Sequence, residues 1–165
     1  MEVRGTHVFD APIERVWAMF RDPESHVAKF ASMGHRHIEV LDRDVSDDRL
    51  VVTIRRQVTV EVPGFARRVL SPTNTVTSVD DWRRLPDGTC SGSYTVDAKG
   101  VPIAVTGSTR LTPDGDRTTY EVVVDVRVNI PLIGGKVTSW AKGDIDKQIL
   151  DEFAAGERWL AEHAD

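Results

Sequence analysis

Hydrophobic residues along this chain follow two periods, and the switch between them divides it. Between residues 36 and 129 apolar positions alternate with polar ones; from Val137 onward they recur every four residues. Leu50, Val52, Ile54, Val58, Val60 and Val62 share one parity, as do Val76, Ser78, Asp80 and Trp82, and as do Tyr120, Val122, Val124, Val126 and Val128. Side chains two apart on an extended chain point the same way, so each set marks a half-buried strand. Strands are expected over 36–44, 49–62, 74–84, 89–98, 102–112 and 117–129. Pro86-Asp87-Gly88 and Pro113-Asp114-Gly115-Asp116 read as tight turns, so the strands form an antiparallel meander.

Residues 2–9 read as an additional first strand. Asp10-Ala11-Pro12-Ile13-Glu14 then opens a helix with Ile13, Val16, Trp17 and Phe20 on one face, and Asp22-Pro23-Glu24-Ser25 opens a second carrying Val27, Phe30 and Met33. Proline is tolerated in a first turn, and an acidic residue there complements the helix dipole. At the other end Val137, Ala141, Ile145, Ile149 and Phe153 form one stripe, extended by Gly156 and Leu160 and flanked by Trp140 and Trp159. No proline interrupts the pattern to Asp165. A single helix of about 28 residues, roughly 42 Å long, starts near Gly135 on this reading. The fold class is α+β: about seven antiparallel strands in a curved sheet wrapped around a long C-terminal helix, with two short helices after strand 1. No repeat or composition shift divides residues 1–165, which read as one domain.

Composition changes this picture little but excludes some functions. A net charge of −5 argues against a nucleic-acid surface. Arg55-Arg56, Arg67-Arg68 and Arg83-Arg84 look basic, but neighbours on a strand point to opposite faces, which splits such pairs. The lone Cys90 permits no internal disulfide and fits a reducing cytoplasm. No signal peptide or membrane-spanning run is evident.

Candidate chemistry is sparse. Arg56 and Asp80 share the inward parity of their strands, and a hairpin centred near residue 68 makes them direct neighbours. Such a pair is either a polar anchor for a ligand carboxylate or carbonyl, or a structural ion pair. A one-residue slip would flip either group outward. Trp140, Asp144 and Gln148 form a helical row over the same region, beside Gly143. An internal cavity of roughly 300–1,000 Å³ is expected, lined by Ile54, Val58, Trp82, Tyr94, Tyr120, Val122 and Trp140. His35 and His37 alternate on one strand face, too few for a metal site, and Cys90 lacks a base partner. No nucleophile elbow, zincin motif or dinucleotide fingerprint is present, so no catalytic residue, metal ligand or cofactor is assigned.

With Ala11-Pro12 followed by Val16-Trp17 at the first helix, the element order resembles the START-like or helix-grip superfamily (SRPBCC), which includes pollen-allergen-like proteins and polyketide cyclases. The stretch from Ile130 to Lys136 resembles an actinobacterial branch of unassigned function. The resemblance implies a cavity between sheet and long helix that holds a small hydrophobic ligand: a lipid, sterol or polyketide-like molecule. A binding or transport module is the favoured reading. The alternative is a polyketide cyclase or dehydratase acting in the same cavity, and a regulatory or chaperone-like domain is a third class. Arg56 stays protonated and shuttles protons poorly, which weighs against the enzyme. The partners expected are the ligand, with no nucleic acid or membrane span; a homodimer is compatible with the sequence.

Overall fold

The chain's local signals are read out almost where they stand in the computed structural model, which describes residues 1–164. Strand β1 (Glu2–Phe9) leads into α1 (Ile13–Arg21), whose N-cap is Pro12, with the Pro12 carbonyl accepting from the amides of Arg15 and Val16. Asp22 closes α1 and caps α2 (Pro23–Ser32), its carboxylate accepting from Glu24 N at 2.9 Å. The meander follows as β2 (Arg36–Ser46), β3 (Arg49–Thr59), β4 (Thr73–Arg84), β5 (Cys90–Ala98), β6 (Ile103–Asp114) and β7 (Arg117–Val128). The long helix α3 runs Gly134–Glu162, 29 residues, and so starts at the expected turn. Asp165, the expected end of that run, lies outside the described residues.

All seven strands form one antiparallel sheet in the order β1-β7-β6-β5-β4-β3-β2. One antiparallel sheet of seven strands with a long C-terminal helix is what the hydrophobic pattern predicts, and it is the arrangement that the resemblance to helix-grip proteins implies. The inward residues of β1, β3 and β7 are buried with α1, α2 and the later half of α3, in a core that includes Phe9, Trp17, Leu50, Ile54, Trp82 and Phe153. Burial of this apolar surface is the main stabilising contribution.

Three expectations need correction. β3 ends at Thr59 rather than 62, because the chain turns away towards Pro63 and a 3₁₀ turn at Gly64–Ala66. Val62, Ala66 and Leu70 then pack on Ile130 and Val137, a small separate cluster that fastens this connection to the start of α3. The β3–β4 register places Arg56 opposite Val76 and Asp80 opposite Val52, so Arg56 and Asp80 are not cross-strand neighbours. The shift preserves parity, and both still belong to the inward set. Finally, His35 and His37 do not share a face. His35 precedes β2, and His37 sits at positive φ (52°) where the β2–β3 pairing is irregular.

Two glycines set how α3 lies. A β-carbon at Gly5 would stand 2.6 Å from Ile149 Cγ2, and one at Gly156 would stand 3.0 Å from the Phe9 ring. The later half of the helix is thus drawn onto β1 and Phe9 by close approach that only glycine permits. The earlier half spans the sheet's curved middle at greater distance.

Candidate functional site

At the Ala98 end of β5 and the Ile103 end of β6 the inward side chains are half-buried although the strands are central: Tyr94, Val96, Ile103 and Val105 face space instead of the helix. That space is a cavity of about 220 Å³ under the earlier half of α3, closed from above by Trp140, Ala141, Asp144, Ile145, Gln148 and Ile149. It is smaller than expected, and Val122, Val124 and Val126 of β7 line it from the sheet side.

Of the predicted lining residues, Arg56, Val58, Tyr94, Val122, Trp140 and Asp144 border this cavity. Asp80, Trp82 and Tyr120 do not. They border a separate void of about 50 Å³ towards α2, which shares Arg56, Tyr94, Val96 and Glu152 with the main cavity. Ile54 borders neither, being buried in the core at the strand's middle. Trp82 packs there against Phe20, with ring centroids 4.8 Å apart and the planes tilted by 34°.

Arg56 stands where the two spaces meet and is only 6 % exposed. Its guanidinium lies over the Phe30 ring, 3.7 Å from the centroid. Nη1 donates to Ser78 Oγ at 2.8 Å and Nε donates to His35 Nδ1 at 3.0 Å. The expected ion pair with Asp80 is absent: Asp80 and Glu152 act on Arg56 through space without hydrogen bonding it. The reason is the register, which carries Asp80 four residues further along β4. Burial lowers the Arg56 pKa to about 10, partly offset by those two carboxylates, so the group remains a cation at neutral pH.

Burial holds the neighbouring groups in their neutral forms. Burial, then Arg56 and Lys29, hold His35 down to about 4. It is therefore neutral, and since Nδ1 accepts from Arg56, Nε2 carries the hydrogen. Burial raises the Tyr94 and Tyr120 hydroxyls, with Glu152 adding to both. Cys90 is fully buried away from these spaces and pushed up to about 11, as befits a small core residue.

Glu152 was not singled out from the sequence, although it continues the Trp140, Asp144, Gln148 row by one more turn. It borders the main cavity, the void beside it and a further small space between α2 and α3. Within the row, Gln148 Nε2 donates to Asp144 Oδ2 at 2.6 Å. His35, Val58, Trp140, Asp144 and Gln148 also border an open groove on the outer side, making them the rim between cavity and solvent. Gly143 lies on that groove, and a side chain there would meet nothing.

Tyr94 is aimed by a glycine. Its cross-strand partner is Gly107, and a β-carbon at Gly107 would overlap the Tyr94 ring. The ring lies flat over β6 and leaves the cavity open. Gly92 plays the same part under Trp82.

Among the described residues no three His, Cys, Asp or Glu side chains gather as metal ligands, and no helix is long and apolar enough to cross a membrane.

Residues 4–160 match the family model described as "Protein of unknown function (DUF2505)". No curated protein matches the sequence. Among solved structures, the chain is similar to the Zhui aromatase/cyclase from Streptomyces sp. R1128, with TM-score 0.66 and 15 % identity, covering 100 % of this chain and 96 % of that one. It is similar to a START superfamily protein from Mycobacterium smegmatis at TM-score 0.57 and 14 % identity, covering 98 % and 97 %. A STAR-related lipid transfer protein from Xanthomonas axonopodis gives TM-score 0.63 and 16 % identity, covering 97 % and 85 %. These likenesses establish the START-like helix-grip fold.

Proposed function

We propose that this chain, which belongs to the DUF2505 family of unknown function, binds a small hydrophobic ligand with one polar end in the cavity beneath α3. The observation that carries the reading is the cavity itself: valine and isoleucine side chains wall it, and a buried arginine without a bonded carboxylate stands at one end. An apolar body would replace water against Val96, Ile103, Val105 and Val124, and an oxygen acceptor would meet the Arg56 guanidinium. Lipid, sterol and polyketide-like molecules have this character, and structures of the same fold include a lipid transfer protein and an aromatase/cyclase. A volume of about 220 Å³ suits a compact ligand or one end of a longer one.

Three of the lining groups weigh towards binding rather than catalysis. His35 is held near 4, Tyr94 is raised and Arg56 is a fixed cation, so none of these three is poised for proton transfer near neutrality.

Native mass spectrometry of the purified chain, with extraction and identification of what is released, tests the reading. A retained small apolar molecule is expected, and Val124→Phe, which fills the floor of the cavity, should abolish its retention in a folded protein. Equal retention by Val124→Phe would place the molecule elsewhere and sink the proposal.

A further inference from the structure

Leu132 is fully exposed and holds φ = 69°, a left-handed conformation that leucine rarely adopts. Neither property is rewarded by packing within the chain. Phe65 and Val69, on the β3–β4 connection, are exposed as well. Phe65, Leu132, Lys136 and Trp140 border one shallow depression, and Lys136 Nζ lies 5.9 Å from the Phe65 ring centroid. The connection is patterned: Val62, Ala66 and Leu70 turn down onto Ile130 and Val137, while Phe65 and Val69 turn out. The outward residues project from a fastened base.

Charge sharpens the picture. Segments 60–72 and 129–141 contain Arg67, Arg68 and Lys136 against the single acid Glu61, in a chain whose net charge is −5. Arg67, Arg68 and Lys136 are exposed. Trp140 belongs to both this depression and the cavity, so the surface lies beside the ligand space.

We propose that this end of the molecule docks on an anionic lipid bilayer, with Leu132 and Phe65 entering the boundary between headgroups and acyl chains and Arg67, Arg68 and Lys136 meeting the headgroups. Protruding apolar side chains gain burial there without needing a shaped partner, and each basic side chain near an anionic surface strengthens binding about fivefold. The left-handed turn at Leu132 serves to hold the side chain away from the body. Docking requires no ligand in the cavity, so it stands or falls separately from the binding reading.

The test is flotation of the full chain with phosphatidylcholine vesicles and with vesicles containing phosphatidylglycerol, at low and high salt. Binding is expected to the anionic vesicles and to weaken with salt. Leu132→Asn suits the left-handed turn, removes no buried contact and so stays folded; it should weaken vesicle binding about tenfold, as losing one inserted leucine would. Lys136→Gln should weaken binding to anionic vesicles alone. Leu150→Asn, at an exposed leucine on the outer face of α3, should change nothing. The proposal is overturned if Leu132→Asn floats like the unmodified chain, if Leu150→Asn is equally impaired, or if anionic vesicles are not preferred. It is also overturned if the unmodified chain forms a dimer that Leu132→Asn dissociates, which would assign the surface to a second copy.

Discussion

Arg56 Nε donates to His35 Nδ1 at 3.0 Å, and this bond exists only while His35 is neutral. A protonated imidazole would turn its acceptor into a donor facing a buried cation. The pair therefore ties the polar end of the cavity to pH.

The ordinary imidazole pKa is 6.5, and His35 is held to about 4 by burial and by Arg56 and Lys29. Between these values the unfolded chain binds a proton that the folded chain refuses. The stability contribution is complete above 6.5 and is lost as pH falls towards 4. Buried His26 is lowered too and acts in the same direction. Denaturant unfolding at about pH 7.5 and about pH 5 should show this loss, and His35→Gln, which keeps an acceptor but does not titrate, should reduce it. An unchanged pH dependence in His35→Gln would show that His35 is not the group responsible.

Arg56 is expected to matter for the ligand more than for the fold. Arg56→Met removes the buried charge but leaves the Ser78 hydroxyl and His35 Nδ1 without their donor, so a loss of about 1–3 kcal/mol is expected in a protein that still folds. It should nonetheless lose the retained ligand. Full retention by the folded variant would remove Arg56 from the site.

Gly107→Ala would drive its methyl into the Tyr94 ring and tilt that ring into the cavity. Overpacking of this kind costs about 1–3 kcal/mol and should reduce ligand retention. Tyr94→Ala in the same chain should restore most of the stability lost to Gly107→Ala, giving a favourable coupling in a double-mutant cycle. Additive effects would mean that ring and glycine do not meet.

Gly5→Ala tests how closely α3 lies on β1, since its methyl would fall 2.6 Å from Ile149 Cγ2. A loss of about 1–3 kcal/mol is expected from thermal or denaturant melts. A neutral result would mean that the helix has room to lift.

Asp80 shows where sequence reasoning stops. Its inward parity was legible from Val76, Ser78 and Trp82, because side-chain direction on a strand has period two and is written locally. Its partner was not. Residues 60–72 connect β3 to β4 through a 3₁₀ turn, and a connection of that length does not fix the register as a two-residue hairpin does. The actual pairing shifts Arg56 from Asp80 to Val76 without changing any residue's face, so nothing in the alternation distinguished the two. Glu152 was hidden for a different reason: it sits on the same helical row as Asp144 and Gln148, but whether a row faces space or solvent depends on what lies beneath it.

The sequence by itself determined the element order, the length and starting point of α3, and the inward faces of the strands, since each follows from periodicity, turn residues and capping within a few neighbours. Tertiary structure decided the rest. The cavity exists because α3 closes on β1 at Gly5 and on Phe9 at Gly156, yet spans the sheet's middle at a distance. Its volume, the neutral His35 against Arg56, and the outward set of Phe65 and Leu132 all depend on contacts between segments far apart in the chain. No local pattern encodes the separation of two surfaces that meet only after folding.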